Sequence, residues 1–263
     1  MRVALSIAGS DPSGGAGIQA DLKTFHQFGV YGMAAITALT AQNTVGVSGV
    51  HVVPPEFLRQ QLQALAADLP PDAIKTGMLA DVQLAATVAD CIRAFGWTPL
   101  VVDPVMIATS GDRLLSVDAE QVIRDRLLPL ATLVTPNLDE ASLLTGLEVR
   151  DVAQMERAGT VMLDLGAAAV LMKGGHLTDD VIVDLLVTPD GTRRFSHARI
   201  QSTSTHGTGC TLSAAIAAGL AAGRPLEQAV EAGLEYVVRA IANAPDLGAG
   251  HGPVNHFVRG QPD

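Results

Sequence analysis

The strongest constraint on the fold is a recurring unit: a short run of Ala, Val, Leu and Ile, then a polar or glycine-rich loop, then a helix-patterned stretch. Val3 to Ala8 is the first such run, followed by Gly9-Ser10-Asp11-Pro12-Ser13-Gly14-Gly15 and by Ile18, Leu22, Phe25 and Phe28 at helical spacing. Further apolar strands fit Met33 to Leu39, Val47 to Val53, Ala73 to Thr76, Leu100 to Asp103, Thr132 to Thr135 and Ala168 to Lys173. Pro54-Pro55-Glu56 opens a helix to about Asp68, Asp81 caps one to about Phe95, and Asp118 begins one that Pro129 limits. Apolar strands alternating with helices predict βαβ units, and hence an α/β fold with a mostly parallel sheet flanked by helices.

The pattern changes toward the C-terminal third. Val181 to Val187 and Arg193 to Ile200 flank Thr188-Pro189-Asp190-Gly191-Thr192, the turn chemistry of an antiparallel hairpin, and two Ala-rich helices follow at about 208 to 222 and 226 to 243. No repeat, charged linker or low-complexity segment divides the chain, so a single domain over 1–263 is expected. The residues are 48% hydrophobic but only 3% aromatic, which builds the core from aliphatic side chains. A net charge of −10 argues against a nucleic-acid surface. Cys91 and Cys210 form neither a disulfide framework nor a zinc cluster, which suits a reducing cytoplasm, and no stretch reaches membrane-spanning length.

In open α/β sheets ligands collect at the carboxyl ends of the strands, where stretches 9–15, 77–81, 103–112, 136–140 and 173–176 fall. These loops should line one cleft. The run His206-Gly207-Thr208-Gly209-Cys210-Thr211-Leu212-Ser213-Ala214-Ala215 combines flexible glycines with a helix start, so the amides of Gly207, Thr208 and Gly209 form a candidate anion hole. Cys210 falls in the first helical turn, where the dipole favours a thiolate, although an isolated Cys after such a loop can equally be packing. Asp103 and Glu140 are candidate Mg²⁺ carboxylates with Asn137 nearby, while helix capping is the competing reading for Asn137 and Asp139. Lys173 ends an apolar strand and offers charge to ATP phosphates, the alternative being a Lys at a sheet edge. The first glycine-rich loop has neither Walker A nor dinucleotide spacing. His176 and His206 can hydrogen-bond near the cleft or serve a structural role, and neither is assigned a metal.

Six collinear segments carry a closer resemblance: Ala8-Gly9-Ser10-Asp11-Pro12-Ser13-Gly14-Gly15-Ala16-Gly17-Ile18-Gln19-Ala20-Asp21, Thr37-Ala38-Leu39-Thr40-Ala41-Gln42-Asn43-Thr44, Lys75-Thr76-Gly77-Met78-Leu79, Asp103-Pro104-Val105-Met106, Leu171-Met172-Lys173-Gly174-Gly175-His176 and the 206–215 run. Together they resemble the hydroxymethylpyrimidine/phosphomethylpyrimidine kinases of thiamine biosynthesis. The resemblance implies a ribokinase-like three-layer sandwich, ATP with Mg²⁺, a homodimer, and two successive phosphorylations of 4-amino-5-hydroxymethyl-2-methylpyrimidine. It implies that Gln42 reads the aminopyrimidine edge, that Gly9, Asp21, Met78 and Val105 line the ring pocket, that Lys173 meets phosphates, and that Cys210 stands beside the reacting oxygen. Thr109 stands where many relatives carry Lys and Ser204 where many carry Asn, both on the nucleotide side.

Related sugar kinases place an Asp base where this chain has Cys210. A small, mostly uncharged thiol would spare the second step, whose nucleophile is already an ionised phosphate, from repulsion by a carboxylate. The nearest alternative is a pyridoxal kinase of the same fold. A thiol-nucleophile transferase using Cys210 with His206 or His176, and a non-catalytic pyrimidine-binding protein, are the alternatives from other classes.

Overall fold

A computed structural model describes residues 1–106, 117–175 and 180–260 of the chain. The elements are β1 (Val3–Ser10), α1 (Gly17–Gln27), β2 (Tyr31–Gln42), β3 (Val47–Val52), α2 (Pro55–Asp68), β4 (Ala73–Thr76), α3 (Val82–Phe95), β5 (Leu100–Val102), α4 (Val117–Val122), β6 (Leu133–Val134), α5 (Leu138–Thr145), α6 (Val152–Asp164), β7 (Val170–Met172), β8 (Val181–Thr188), β9 (Gly191–Ala198), α7 (Thr208–Ala221) and α8 (Leu226–Ala242). One nine-stranded sheet runs β3-β2-β1-β4-β5-β6-β7-β8-β9. Its centre, β2 through β7, is parallel. At one edge β3 pairs antiparallel with β2, and at the other β8 and β9 form the expected antiparallel hairpin on β7.

Because successive strand residues point to opposite faces, the aliphatic runs split into two cores. Ala4, Ala73, Val101, Leu133, Leu171 and Leu186 face a core shared with α1, α7 and α8, while Leu5, Ile7, Ile74, Val102, Val134 and Met172 face one shared with α2 through α6. That is the three-layer arrangement the resemblance implies. Each fully buried Leu or Ile contributes roughly 1.5–3 kcal/mol, which explains why nearly unbroken apolar runs mark the central strands.

The Ala-rich pair α7 and α8 packs by close approach. A Cβ on Gly219 would lie 2.9 Å from the Ala229 Cβ, and one on Gly233 would lie 3.0 Å from the Ile216 Cγ1. Asp81 caps α3 as its position suggests, accepting from the Leu84 N–H at 2.8 Å, and Gly96 closes the helix in the left-handed conformation. After α4 the chain passes through a π-type turn and a short 3-10 turn before Ala131, so Pro129 does limit that segment. Beyond α8 the chain returns along the molecule: the His251 N–H donates to the Thr44 carbonyl at 2.9 Å and the His206 N–H to the Gly252 carbonyl at 3.0 Å. Among the described residues no helix is long and apolar enough to cross a membrane.

Candidate active site

A cavity of about 600 Å³ lies over the carboxyl ends of the parallel strands. Of the residues expected at the site, Gly9, Gln42, Met78, Val105, Asp103, Asn137, Glu140, Lys173, Gly207, Thr208, Gly209 and Cys210 all line it. Strand ends separated widely in sequence thus converge as the open α/β topology demands.

One end suits a flat ring. The Met78 methyl lies against Gly9, where an added Cβ would come to 3.0 Å from it, so Gly9 leaves the thioether room. The Thr37 hydroxyl donates to the Met78 carbonyl at 2.6 Å and fixes that loop. Gln42 closes β2, which runs past Leu39 because Ala38 to Gln42 pair with β3. The Thr40 hydroxyl lies 3.1 Å from its Oε1 and 3.0 Å from the Ser10 carbonyl, its one proton shared between these two acceptors. These bonds hold the amide beside the loop that ends β1.

The other end holds the candidate anion hole and Lys173. Gly207 precedes α7 with φ +80°, and a Cβ there would sit 1.8 Å from the Gly15 carbonyl oxygen, so only glycine fits. The turn presents the first amides of α7 toward the cavity. Lys173 extends β7, its N–H bonded to the Pro136 carbonyl at 2.9 Å, and its ammonium lies 3.3 Å from the Asp103 Oδ1 and 3.8 Å from the Glu140 Oε2. Burial opposes that charge, but the two carboxylates outweigh it and raise the Lys173 pKa. The Asp103 Oδ2 also accepts from the Ser213 hydroxyl at 3.2 Å.

Asn137 and Glu140 form a reciprocal capping box on α5: the Glu140 N–H donates to the Asn137 Oδ1 at 2.9 Å, and the Asn137 N–H to the Glu140 Oε2 at 2.8 Å. Asp139 also reaches the cavity wall, and its carboxylate pairs with Arg150 at 3.1 Å. Burial pushes the Glu140 carboxyl up to about 7, against the pull of Lys173 and with a further push from Asp103. Among the described residues no group of three or more His, Cys, Asp or Glu side chains could hold a metal ion. Two carboxylates already facing an ammonium fit a Mg²⁺ that arrives on nucleotide phosphates with its water, since Mg²⁺ in such sites needs few protein ligands.

One expectation changes. Asp21 is not on the cavity wall: it is fully buried beneath it, accepting from Lys75 at 2.9 and 3.0 Å and from the Ser6 hydroxyl at 2.5 Å. Asp21 can act on the cavity only through Lys75, which is itself fully buried and reaches the floor. Burial works against the Lys75 ammonium, but Asp21, with Cys210 and Asp103 beyond it, holds its pKa above the usual lysine value. Cys210 is resolved between its two readings. Burial pushes its thiol up to about 11; Lys75 and the Gly17 N–H pull the other way, and Asp103 and Asp21 add to the rise. Desolvation outweighs the helix dipole, which favours the mostly uncharged thiol over the thiolate of the two readings open at this helix start.

Sequence reasoning assigned no role to Lys75 or Asp11. A Lys inside Ala73-Ile74-Lys75-Thr76, and an Asp on the buried stripe of α1 between Ile18 and Phe25, are the signals that could have revealed the buried pair. Asp11 bonds His206 across the cavity rim at 2.8 Å. Ser204 is buried against Gly252, behind the wall. Thr109, His176 and all but the first residues of the 104–112 loop, expected to close over the site, lie outside the described residues.

The family profile described as phosphomethylpyrimidine kinase matches residues 11–255. The chain is 52% identical over 260 residues to the hydroxymethylpyrimidine/phosphomethylpyrimidine kinase of Rhizobium meliloti strain 1021, covering 98% of this chain and 97% of that protein. The phosphomethylpyrimidine kinase structure from Clostridium difficile 630 superposes with a TM-score of 0.83 at 42% identity, over 92% of this chain and 100% of that one. An ADP complex of Bacillus subtilis pyridoxal kinase superposes with a TM-score of 0.91 at 39% identity, over 97% of each chain. With the sheet order, the cavity and these matches in agreement, the chain belongs to the phosphomethylpyrimidine kinase family.

Proposed function

We propose that this chain is an ATP-dependent kinase that converts 4-amino-5-hydroxymethyl-2-methylpyrimidine to its monophosphate and then to its diphosphate, in thiamine biosynthesis. One observation carries the reading: a single cavity joins the ring-sized end at Gly9, Gln42 and Met78 to the helix-start turn at Gly207–Cys210. A glutamine amide offers a donor and an acceptor side by side, which matches a ring nitrogen beside an exocyclic amine. Gly9, Met78 and Val105 supply the surrounding surface, and Asp21 supports it from below through Lys75.

In this reading the substrate hydroxyl oxygen attacks the γ-phosphorus of ATP while the bond to the bridging oxygen of ADP breaks and the hydroxyl proton is released. The amides of Gly207, Thr208 and Gly209 and the Lys173 ammonium stabilise charge on the transferring group. Asp103 and Glu140 would hold a Mg²⁺ that arrives on the nucleotide, and the ion would supply neutralisation of phosphate charge. A loose transition state asks mainly for positioning, so a neutral thiol at 210 suffices, and it does not repel the monophosphate in the second step. The chain would act as one domain, as a homodimer, in the cytoplasm and on small molecules alone.

A pyridoxal kinase activity is the second reading, favoured by the likeness to Bacillus subtilis pyridoxal kinase. Initial rates of ADP formation with each alcohol at matched concentration separate the two. The proposal predicts a higher kcat/KM for the aminopyrimidine; a higher value for pyridoxal would replace it with the second reading.

A further inference from the structure

We propose that Asp11 and His206 form one positioning pair that fixes the distance between the ring end of the cavity and its phosphate end. The inference rests on the kinase reading above. Asp11 belongs to the loop that follows β1, and His206 directly precedes the Gly207 turn that begins α7. Their side chains meet at 2.8 Å, between the His206 Nε2 and the Asp11 Oδ2, and both are buried.

The Asp11 carboxylate organises its own loop. Its Oδ1 accepts the Ser13 N–H at 2.9 Å and the Ser13 hydroxyl at 2.7 Å, and its Oδ2 accepts the Ala16 N–H at 2.9 Å. Burial would raise its pKa, but the bonds from His206 and Ser13 outweigh that and hold it below the usual carboxylate range. An ionised carboxylate only accepts hydrogen bonds, so His206 donates through Nε2.

The contact is shaped as well as bonded. A Cβ on Gly15 would lie 2.5 Å from the His206 ring, and one on Gly207 would lie 1.8 Å from the Gly15 carbonyl, so each loop has glycine where the other touches it. From this junction Gly9 and Ser10 lead to the ring end, and Thr208 to Cys210 lead to the phosphate end. A phosphoryl acceptor and donor bound to these two loops keep their separation only while the loops keep theirs. Neither side chain performs a chemical step; they set where the steps occur.

The test compares His206→Leu, which removes the donor, with His206→Gln, which restores an N–H in similar space, and with Asp11→Asn. In His206→Leu kcat should fall on the order of 100-fold while KM for the pyrimidine alcohol changes by less than about threefold, the signature of lost alignment. In His206→Gln most of that loss should be recovered. Amide exchange on the substrate-free protein gives a readout independent of turnover. In His206→Leu and Asp11→Asn the amides of 13–17 and of 208–210 should lose protection together, even if the wild type proved inactive on the pyrimidine. Wild-type kcat in His206→Leu, no recovery in His206→Gln, or loosening confined to one loop would overturn the proposal.

Discussion

Replacing Lys75 by Met tests the buried charge pair under the cavity. Both side chains of the pair are fully excluded from solvent, and the ammonium contacts both Asp21 carboxylate oxygens. Removing one partner of a buried pair leaves the other desolvated and uncompensated, at a cost of about 3–5 kcal/mol. For a chain of this size each kcal/mol lowers Tm by roughly 2–4 °C, so Lys75→Met should melt roughly 10 °C below the wild type at pH 8. Burial already raises the Asp21 carboxyl with Lys75 beside it, and without the ammonium it rises further. A carboxyl whose folded pKa is raised destabilises the fold as pH climbs past its unfolded value, so the deficit of Lys75→Met should shrink toward pH 4. Adding Asp21→Asn removes the orphaned charge and should restore part of the Tm. The assay is thermal unfolding by circular dichroism across pH 4–8 for the wild type, the single variant and the double. A Tm within about 2 °C of wild type at pH 8, or a double variant less stable than Lys75→Met, would refute the reasoning.

With the thiol pushed up to about 11, alkylation of Cys210 by iodoacetamide in a Cys91→Ser background should accelerate through pH 9–11, and a midpoint below 9 would contradict the burial argument. Cys210→Asp should retain monophosphate formation and lose the diphosphate step selectively; full diphosphate formation would count against the role given to the uncharged sulfur. Gly207→Ala forces a side chain into the Gly15 carbonyl at φ +80°, so kcat should fall on the order of 100-fold with a lowered Tm, checked by steady-state kinetics and melting. Gln42→Leu removes about two neutral hydrogen bonds and should raise KM for the aminopyrimidine on the order of 10- to 100-fold while leaving KM for ATP unchanged; equal effects on both would move Gln42 out of the ring pocket.

Local chemistry made the strands, caps and turns readable. Asp81 at the start of α3, Pro55 opening α2 and the Pro189-Asp190 turn each act through neighbouring backbone, and each lies where the pattern put it. The antiparallel direction of β3 was not legible, although its strand was, because Val47 to Val52 pair with β2 by hydrogen bonds that do not depend on side-chain type. The start of α5 was legible only as one of two readings: Asn137 caps it as the capping alternative expects, with Glu140 rather than Asp139 completing the box, and these same polar residues also suggest metal chemistry. At the site, motif residues on loops were identifiable one by one, since each loop carries its own glycines and polar groups. Contacts that join distant segments were not. Lys75 with Asp21, and Asp11 with His206, are pairs separated by 54 and 195 residues that only the sheet order brings together. The helix start alone left Cys210 between a thiolate and the mostly uncharged thiol that the two-step chemistry asks for, because helix position is local whereas desolvation is set by everything packed around the sulfur.

The most direct measurement of the central claim is a phosphorus NMR time course of the wild-type protein with the pyrimidine alcohol and MgATP. The account predicts a monophosphate resonance that rises first and then gives way to a pyrimidine diphosphate, with ADP formed at each step. ADP release without any phosphorylated pyrimidine, or a monophosphate that never advances with ATP in excess, would contradict it.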